Sequence, residues 1–287
     1  MVFINCPTRE DLGGTSKTNK GQAELCLYIC KLLCTPASSP TIPQQQGVLD
    51  LVKTLGPQNV FVSVYESGSW DDSKGALREL DRQLEKMGVG RKIVLNKETH
   101  AGLIAGPPGG EGWVTVPGSG KKGFRRIPYL SRLRNLSLQP LREMAANGTT
   151  FDHVLFLGDV VFSVPDILTL LTTNAGQYAA ACSLDSLAPS FYDTFALRDI
   201  HGHEYASQTF PLLPRLPSRR AMLRGGPVPV ASCWNGIVAM PPPFVHPSRP
   251  LLFRGVPDSL AAKHVEGSEC CLVHADNLLS GSWAGYG

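Results

Sequence analysis

"FDHVLFLGDVVFSVPDILTLL", residues 151–171, decides the fold class. Val154, Leu155, Phe156 and Leu157 form an apolar run without alternation, rich in residues that suit a pleated surface. A run of this kind fits a strand covered on both faces, as in a parallel α/β sheet. Ser163 then offers a helix N-cap, with Pro165 in the first turn and Asp166 three residues after the cap. Ile167, Leu168, Leu170 and Leu171 supply an apolar helix face. Asp159 therefore lies just past the carboxyl end of a buried strand, where open α/β sheets bind ligands. It reads either as a ligand to a metal or sugar, or as a carboxylate capping a turn.

Working outward, residues 48–55 read as the end of a helix stopped by Gly56 and Pro57, and Val60 to Tyr65 as a strand with Glu66 at its carboxyl end. Leu77, Leu80, Leu84 and Met87 recur at helical spacing and Gly88 closes that helix. Residues 92–95 form the next strand, so a parallel crossover is expected. Residues 106–123 read as a loop, and Pro128 to Ala146 as one helix kinked at Pro140. A further strand ends near Asp185, and "PVPVASCWNGIVAM" is strand-like but broken at Trp234, Asn235 and Gly236.

The amino-terminal 47 residues differ. "VFIN" has the character of a short first strand, expected beside Val60–Tyr65, and residues 35–47 read as a Pro/Ser/Gln linker. Cys26, Cys30 and Cys34 are spaced as on one helical face, as a metal site or as buried thiols. The expected organisation is thus an atypical segment over 1–47 and one domain over 48–287.

With 287 residues, 43% of them hydrophobic, the chain can bury a sizeable core. A net charge of +3 without a basic block gives no nucleic-acid surface. No apolar segment reaches the roughly 18–20 residues of a membrane-spanning helix, and Arg9, Glu10 and Asp11 interrupt any signal-like start. Cys182, Cys233, Cys270 and Cys271 allow a disulfide in an oxidising compartment. Asn135-Leu-Ser and Asn147-Gly-Thr match the glycosylation sequon. Nucleophile-elbow and dinucleotide-binding signatures are lacking.

Acids recur near strand ends: Glu66, Asp159 and Asp185. Carboxylates gathered at one sheet edge suit a hard divalent ion such as Mg2+ or Mn2+, and His274 could add a nitrogen ligand better matched to Mn2+.

Several stretches, in order, carry a resemblance: "NVFVSVYESGSWDDSKGALRELD", "RRIPYLSRLRNLSLQPL", "FDHVLFLGDVVF", "FYDTFALRDIHGHE", "PVPVASCWNGIVAM" and "GSECCLVHADN". From about Val48 to Tyr286 the chain resembles the fungal family typified by the cryptococcal capsule α-1,3-mannosyltransferase. The resemblance implies a single GT-A-like, Rossmann-like α/β domain with a mostly parallel central sheet. It implies a retaining glycosyltransferase that moves mannose from GDP-mannose to a glycan hydroxyl with Mn2+ or Mg2+, in the Golgi. Transfer of another sugar, such as xylose from UDP-xylose, and a non-catalytic nucleotide- or glycan-binding remnant are the alternatives. It further implies Asp159 and His274 at the metal, and Glu66, Arg132, Arg134 and Asn135 at the donor nucleotide. Asp185, Asp193 and Glu269 would act at the sugars, and Trp234 and Asn235 at the acceptor. Bland readings stand beside these: a surface ion pair for Arg134, a core position for Trp234 and a solvated loop for His274. The chain has Gly158 where members usually have Asn, its amino-terminal segment lacks the family's membrane anchor and clean first strand, and the family continues past Gly287.

Overall fold

The computed structural model describes residues 3–6, 27–33 and 42–280, save 70, 117, 185, 188–189, 192–194, 235 and 247. The chain runs β1 (Phe3–Cys6), β2 (Leu27–Leu33), α1 (Ile42–Leu55), β3 (Val60–Ser67), α2 (Ser73–Lys86), β4 (Gly90–Asn96) and α3 (His100–Ala105). It continues through β5 (Trp113–Thr115), β6 (Lys122–Phe124), α4 (Arg126–Ser137), α5 (Gln139–Ala146), β7 (His153–Leu157), α6 (Val164–Leu171), β8 (Ala180–Ser183), β9 (Ser186–Leu187) and β10 (Ser190–Phe191). It closes with β11 (Arg198–Asp199), α7 (Leu216–Leu223), β12 (Val228–Ser232), β13 (Ile237–Met240), α8 (Asp258–Ala261) and α9 (Glu269–Asp276).

Nine of these strands form one sheet in the order β11-β12-β1-β8-β13-β7-β2-β3-β4. It is a mixed α/β sheet. The block β7-β2-β3-β4 is parallel, whereas β13 runs antiparallel to both β7 and β8. The expectation of a mostly parallel sheet therefore holds for that block; beyond it β1 and β12 are parallel, whereas β11–β12, β1–β8, β8–β13 and β13–β7 are antiparallel. Alternate residues of β7 serve two cores. Val154 and Phe156 pack with residues of α5, α7 and α9 on one face, and Leu155 and Leu157 with residues of α1, α2 and α6 on the other. Both faces being covered explains the continuous apolar run.

Five local expectations change. "LYICKLL" is a strand, not a helical face: β2 fills the slot between β3 and β7, with Lys31 opposite both Val64 and Leu157. Residues Phe3–Cys6 do form a strand, but it pairs with β8 and β12 rather than lying beside Val60–Tyr65. The linker reading of residues 35–47 ends early, because α1 begins at Ile42 and takes in the glutamines. The 106–123 loop contains the β5–β6 hairpin, and the predicted kinked helix is two helices that meet at Leu138.

Elsewhere the local signals hold. Ser163 donates from its backbone N–H and its hydroxyl to Asp166, at 3.0 and 2.7 Å, which fixes the start of α6. Gly56 and Gly88 stop their helices with φ of 89° and 73°, a region that costs a side-chain-bearing residue. A disulfide joins Cys182 of β8 to Cys233, 51 residues on. Closing a loop of that length restricts the unfolded chain by about 4 kcal/mol.

The two sequons are not equivalent. The Asn135 side chain is engaged with the backbone of Phe253, whereas Asn147 sits exposed in the turn after α5. Chain produced through a glycosylating secretory route is expected to carry glycan at Asn147 and none at Asn135, as peptide mapping after deglycosylation reports. Glycan at Asn135 would contradict the packing. The place of β2 is tested by Leu27, which is wholly buried. Leu27→Ala should cost about 2–5 kcal/mol in urea unfolding, as a core truncation does. A loss below ~0.5 kcal/mol would mean that β2 is not part of the core.

Candidate functional site

The parallel register sets the heights of the acids. Val64, Lys31 and Leu157 form one row across β3, β2 and β7. Glu66 lies two residues past that row within β3, and Asp159 two residues past it in the turn after β7. Two strand spacings, about 10 Å, separate β3 from β7. Their environments differ. Glu66 is wholly buried, whereas Asp159 is exposed.

Glu66 Oε1 accepts from the Ser69 N–H at 2.5 Å, the Ser69 hydroxyl at 2.6 Å and Lys74 Nζ at 3.2 Å. Its Oε2 lies 3.2 Å from Lys74 Nζ but has no well-aligned hydrogen bond among the described residues. Lys74 also donates to the Ser69 carbonyl at 2.9 Å. Glu66 thus ties the turn after β3 to the first turn of α2. Its carboxylate faces inward to this turn. Next to it, the Ser67 hydroxyl donates to the Glu98 carbonyl at 2.8 Å and shares a 2.9 Å hydrogen bond with the Tyr129 hydroxyl.

Asp159 sits on a turn pressed against the start of β13. The Gly158 N–H donates to the Gly236 carbonyl at 2.6 Å. A Cβ on Gly158 would lie 2.8 Å from that same oxygen, so an asparagine here would require the backbone to part. The departure from the family's usual residue therefore goes with a close backbone contact on the amino side of Asp159.

The acids of "EGSECCLVHADN" are each held by an arginine. Glu266 receives Arg125 Nη2 at 2.7 Å and Nε at 3.1 Å, and Arg125 Nη1 also reaches Asp258 at 2.6 Å. Burial opposes the charge on Arg125, but the hydrogen bonds with Glu266 and Asp258 outweigh it and hold the guanidinium protonated. Asp276 takes Arg254 through two bonds, at 2.6 and 2.9 Å. Glu269, at the start of α9, accepts from Arg134 Nε of α4 at 3.0 Å, and both side chains are largely buried. The Arg134 guanidinium also lies over the Trp234 ring at 4.5 Å and near Phe253 at 5.6 Å. Removing one partner of such a buried pair costs about 3–5 kcal/mol, so substitutions at Glu269 or Arg134 report on the fold before they report on chemistry.

The remaining candidates fall into place around this pair. Trp234 is buried against Phe156 and Phe253, with ring centroids at 5.1 and 5.5 Å, as the core reading requires. Asn135 accepts from and donates to the Phe253 backbone at 3.0 and 2.8 Å, which clamps a loop strand to α4. Arg132, by contrast, is half-exposed, with Glu98 at 3.8 Å. His274 is neither loop nor solvated: it is wholly buried on α9, with Nε2 2.6 Å from the Cys233 carbonyl. A metal role for His274 finds no support in this placement. Among the described residues no group of three or more His, Cys, Asp or Glu side chains is gathered as for a metal ion. Asp185, Asp193 and Asn235 lie outside the described residues. What sequence reasoning missed is Lys74, Ser69 and Arg125. A lysine in the first turn after a strand-end acid was the available signal for Lys74, whereas the partners of Arg125 are over 130 residues away.

The histidine yields a pH dependence. Burial lowers the His274 pKa to about 4, against an ordinary value of 6.5, with the Cys233 carbonyl opposing in part. The folded state therefore prefers the neutral ring. The stabilisation is complete above pH 6.5 and is lost as pH falls from 6.5 towards 4, because only the unfolded chain takes up the proton. Between pH 7.5 and 5 the loss from this group should be about 2 kcal/mol. His153, whose pKa burial also lowers, acts in the same direction. Urea unfolding of the wild type and His274→Gln at both pH values checks this. The difference in stability between them should shrink at pH 5, and an unchanged difference would mean that the ring is protonated or solvated in the fold.

Comparison with known proteins adds one match and two negatives. The sequence model of the family described as Cryptococcal mannosyltransferase 1 matches residues 36–276. No curated protein matches the chain, and no solved structure does. The match covers most of the chain, including β3, β7, the arginine-held acids and α9, so the chain belongs to the Cryptococcal mannosyltransferase 1 family.

Proposed function

We propose that this chain is a retaining glycosyltransferase that moves mannose from GDP-mannose to a glycan hydroxyl, with a GT-A-like sheet and a divalent ion, Mn2+ or Mg2+. The observation that carries this reading is the position of Asp159, an exposed carboxylate just past the parallel strand β7 in a member of a mannosyltransferase family. Ligands of open α/β sheets bind at that edge. One carboxylate fits a hard cation that keeps water and takes its other oxygens from substrate phosphates. When bound, such an ion would neutralise charge on the departing diphosphate.

The other residues take supporting parts. Glu66 holds the turn that links β3 to α2, and Lys74, a quarter exposed, stands beside it as a cation suited to a diphosphate. Arg132, exposed at the first half of α4, is suited to phosphate or base. Arg134, Asn135, Glu269 and Trp234 shape the wall behind the site rather than touch the sugars. Asp185, Asp193 and Asn235 remain the proposed sugar-side and acceptor-side groups. The buried Cys182–Cys233 disulfide supports a secretory, Golgi-type lumen, because cytosolic thiols are kept reduced. Among the described residues no helix is long and apolar enough to cross a membrane.

The test is a donor panel. GDP-mannose should raise the melting temperature only with Mn2+ or Mg2+, since a ligand stabilises the state it binds. Release of mannose or GDP should follow the same metal dependence, and Asp159→Asn should lower it by about 100-fold or more with the melting temperature in the absence of ligand unchanged. A response to UDP-xylose and not to GDP-mannose would reassign the donor. Binding without turnover on any glycan would identify a non-catalytic remnant. Metal-dependent turnover unaltered by Asp159→Asn would remove Asp159 from the site.

A further inference from the structure

The turn that carries Asp159 is gripped on both sides by a single residue. On the amino side, the Gly158 N–H donates to the Gly236 carbonyl at 2.6 Å. On the carboxyl side, a Cβ placed on Gly236 would meet Val160 Cγ1 at 2.5 Å. Gly236 itself has φ of 82°, a conformation that a residue with a side chain adopts at a cost. Gly236 thus fits under the Asp159 turn only because it has no side chain. Two residues shortly before it, Cys233 and Trp234, are fixed to the core. Cys233 is bonded to Cys182 in β8, and Trp234 is buried between the Arg134 guanidinium and the rings of Phe156 and Phe253. The chain just after it enters β13, where Ile237 pairs with Leu157 of β7.

We infer that Gly236 is a positioning residue for Asp159: held near the core anchors Cys233 and Trp234 on one side and β13 on the other, it is a brace that sets where this carboxylate stands at the sheet edge. The inference rests on the proposed role of Asp159 at a metal-bound nucleotide. Its physical content is that an exposed carboxylate is precise enough for a cation only when its backbone cannot drift. Arg134 and Glu269 then matter to the site at one remove, by holding Trp234, and the disulfide matters in the same way.

Four variants of the full chain, read in two ways, test this. Amide hydrogen exchange at Gly158 reports the brace without any ligand. Electron paramagnetic titration of Mn2+ in the presence of GDP reports the carboxylate without turnover. Gly236→Ala is expected to unprotect the Gly158 amide and to weaken Mn2+–GDP binding about tenfold or more, the scale seen when a group that orients a metal ligand is lost. Val160→Ala removes the methyl groups that face Gly236 at a part-exposed position, and should move both readouts in the same direction by less. It serves in place of Gly236→Ala if that variant does not fold. Gly176→Ala imposes the same backbone strain, at φ of 79° with no atom within 4 Å of the new Cβ, and should leave both readouts at wild-type values. Asp159→Asn separates the two ideas. It should abolish Mn2+–GDP binding while leaving Gly158 protected, and unaltered binding in this variant defeats the metal assignment while exchange at Gly158 still judges the brace. A protected Gly158 in Gly236→Ala overturns the inference. So does an unprotected Gly158 with Mn2+–GDP binding within twofold of wild type, and so does an equal loss in Gly176→Ala.

Discussion

The pairing of β2 between β3 and β7 is the constraint on which the rest of the structure depends. Without it, two long parallel strands would each leave a row of backbone donors and acceptors unpaired in the interior, and buried groups of that kind are almost always satisfied. With it, Val64, Lys31 and Leu157 align in one row. That row places Glu66 at the end of β3 and Asp159 in the turn after β7, both at the carboxyl ends of the parallel strands. It also lets β7 present Val154 and Phe156 to one core and Leu155 and Leu157 to the other. The family match begins at residue 36, beyond β2. The strand that completes the parallel block thus comes from the stretch of the chain that the family pattern leaves out.

A second ordering principle is the use of arginine. Arg125, Arg134 and Arg254 hold Glu266, Glu269 and Asp276, and these three pairs join the segment before α9, and α9 itself, to distant parts of the chain. A guanidinium can satisfy several acceptors at once in a fixed plane, which a lysine cannot. Arg125 uses this fully, with Glu266, Asp258 and the Val256 carbonyl around it. Cys270, beside Arg134, shows the opposing forces at one atom. Burial pushes its thiol well above the usual range, and the Arg134 charge reduces that shift without reversing it. Its proton stays on, and a buried neutral thiol behaves as a small apolar group.

Much of this was legible in the sequence, and the failures have physical causes. The strand before Asp159, its capped helix, the β3–α2–β4 unit and both glycine stops depend on local chemistry, which neighbouring residues spell out. "LCLYICKLLC" did not resolve, because a short apolar run serves a buried strand and a helix equally well, and the four-residue spacing of its cysteines mimicked a helical face. The β5–β6 hairpin was hidden because its strands have three residues each, too few for alternation to register. At the site, the acids could be found but not sorted. Burial separates Glu66 and Glu269 from Asp159, and burial comes from partners remote in sequence, such as Arg134 for Glu269, 135 positions away.

That sorting bears on which groups can do chemistry. A side chain that must exchange water for a cation or a phosphate during a reaction needs access and a partner it can leave. Glu269 would give up a buried guanidinium to do so, and His274 a short bond to a carbonyl in the buried interior. Both costs are comparable to what a ligand contact returns. Asp159 is exposed, so water and a cation can reach it. The glycine contacts beneath it set the backbone from which it projects. The protein thus divides the task. Buried pairs fix the frame, the frame fixes a loop, and the loop holds one accessible carboxylate at the edge where the parallel strands end.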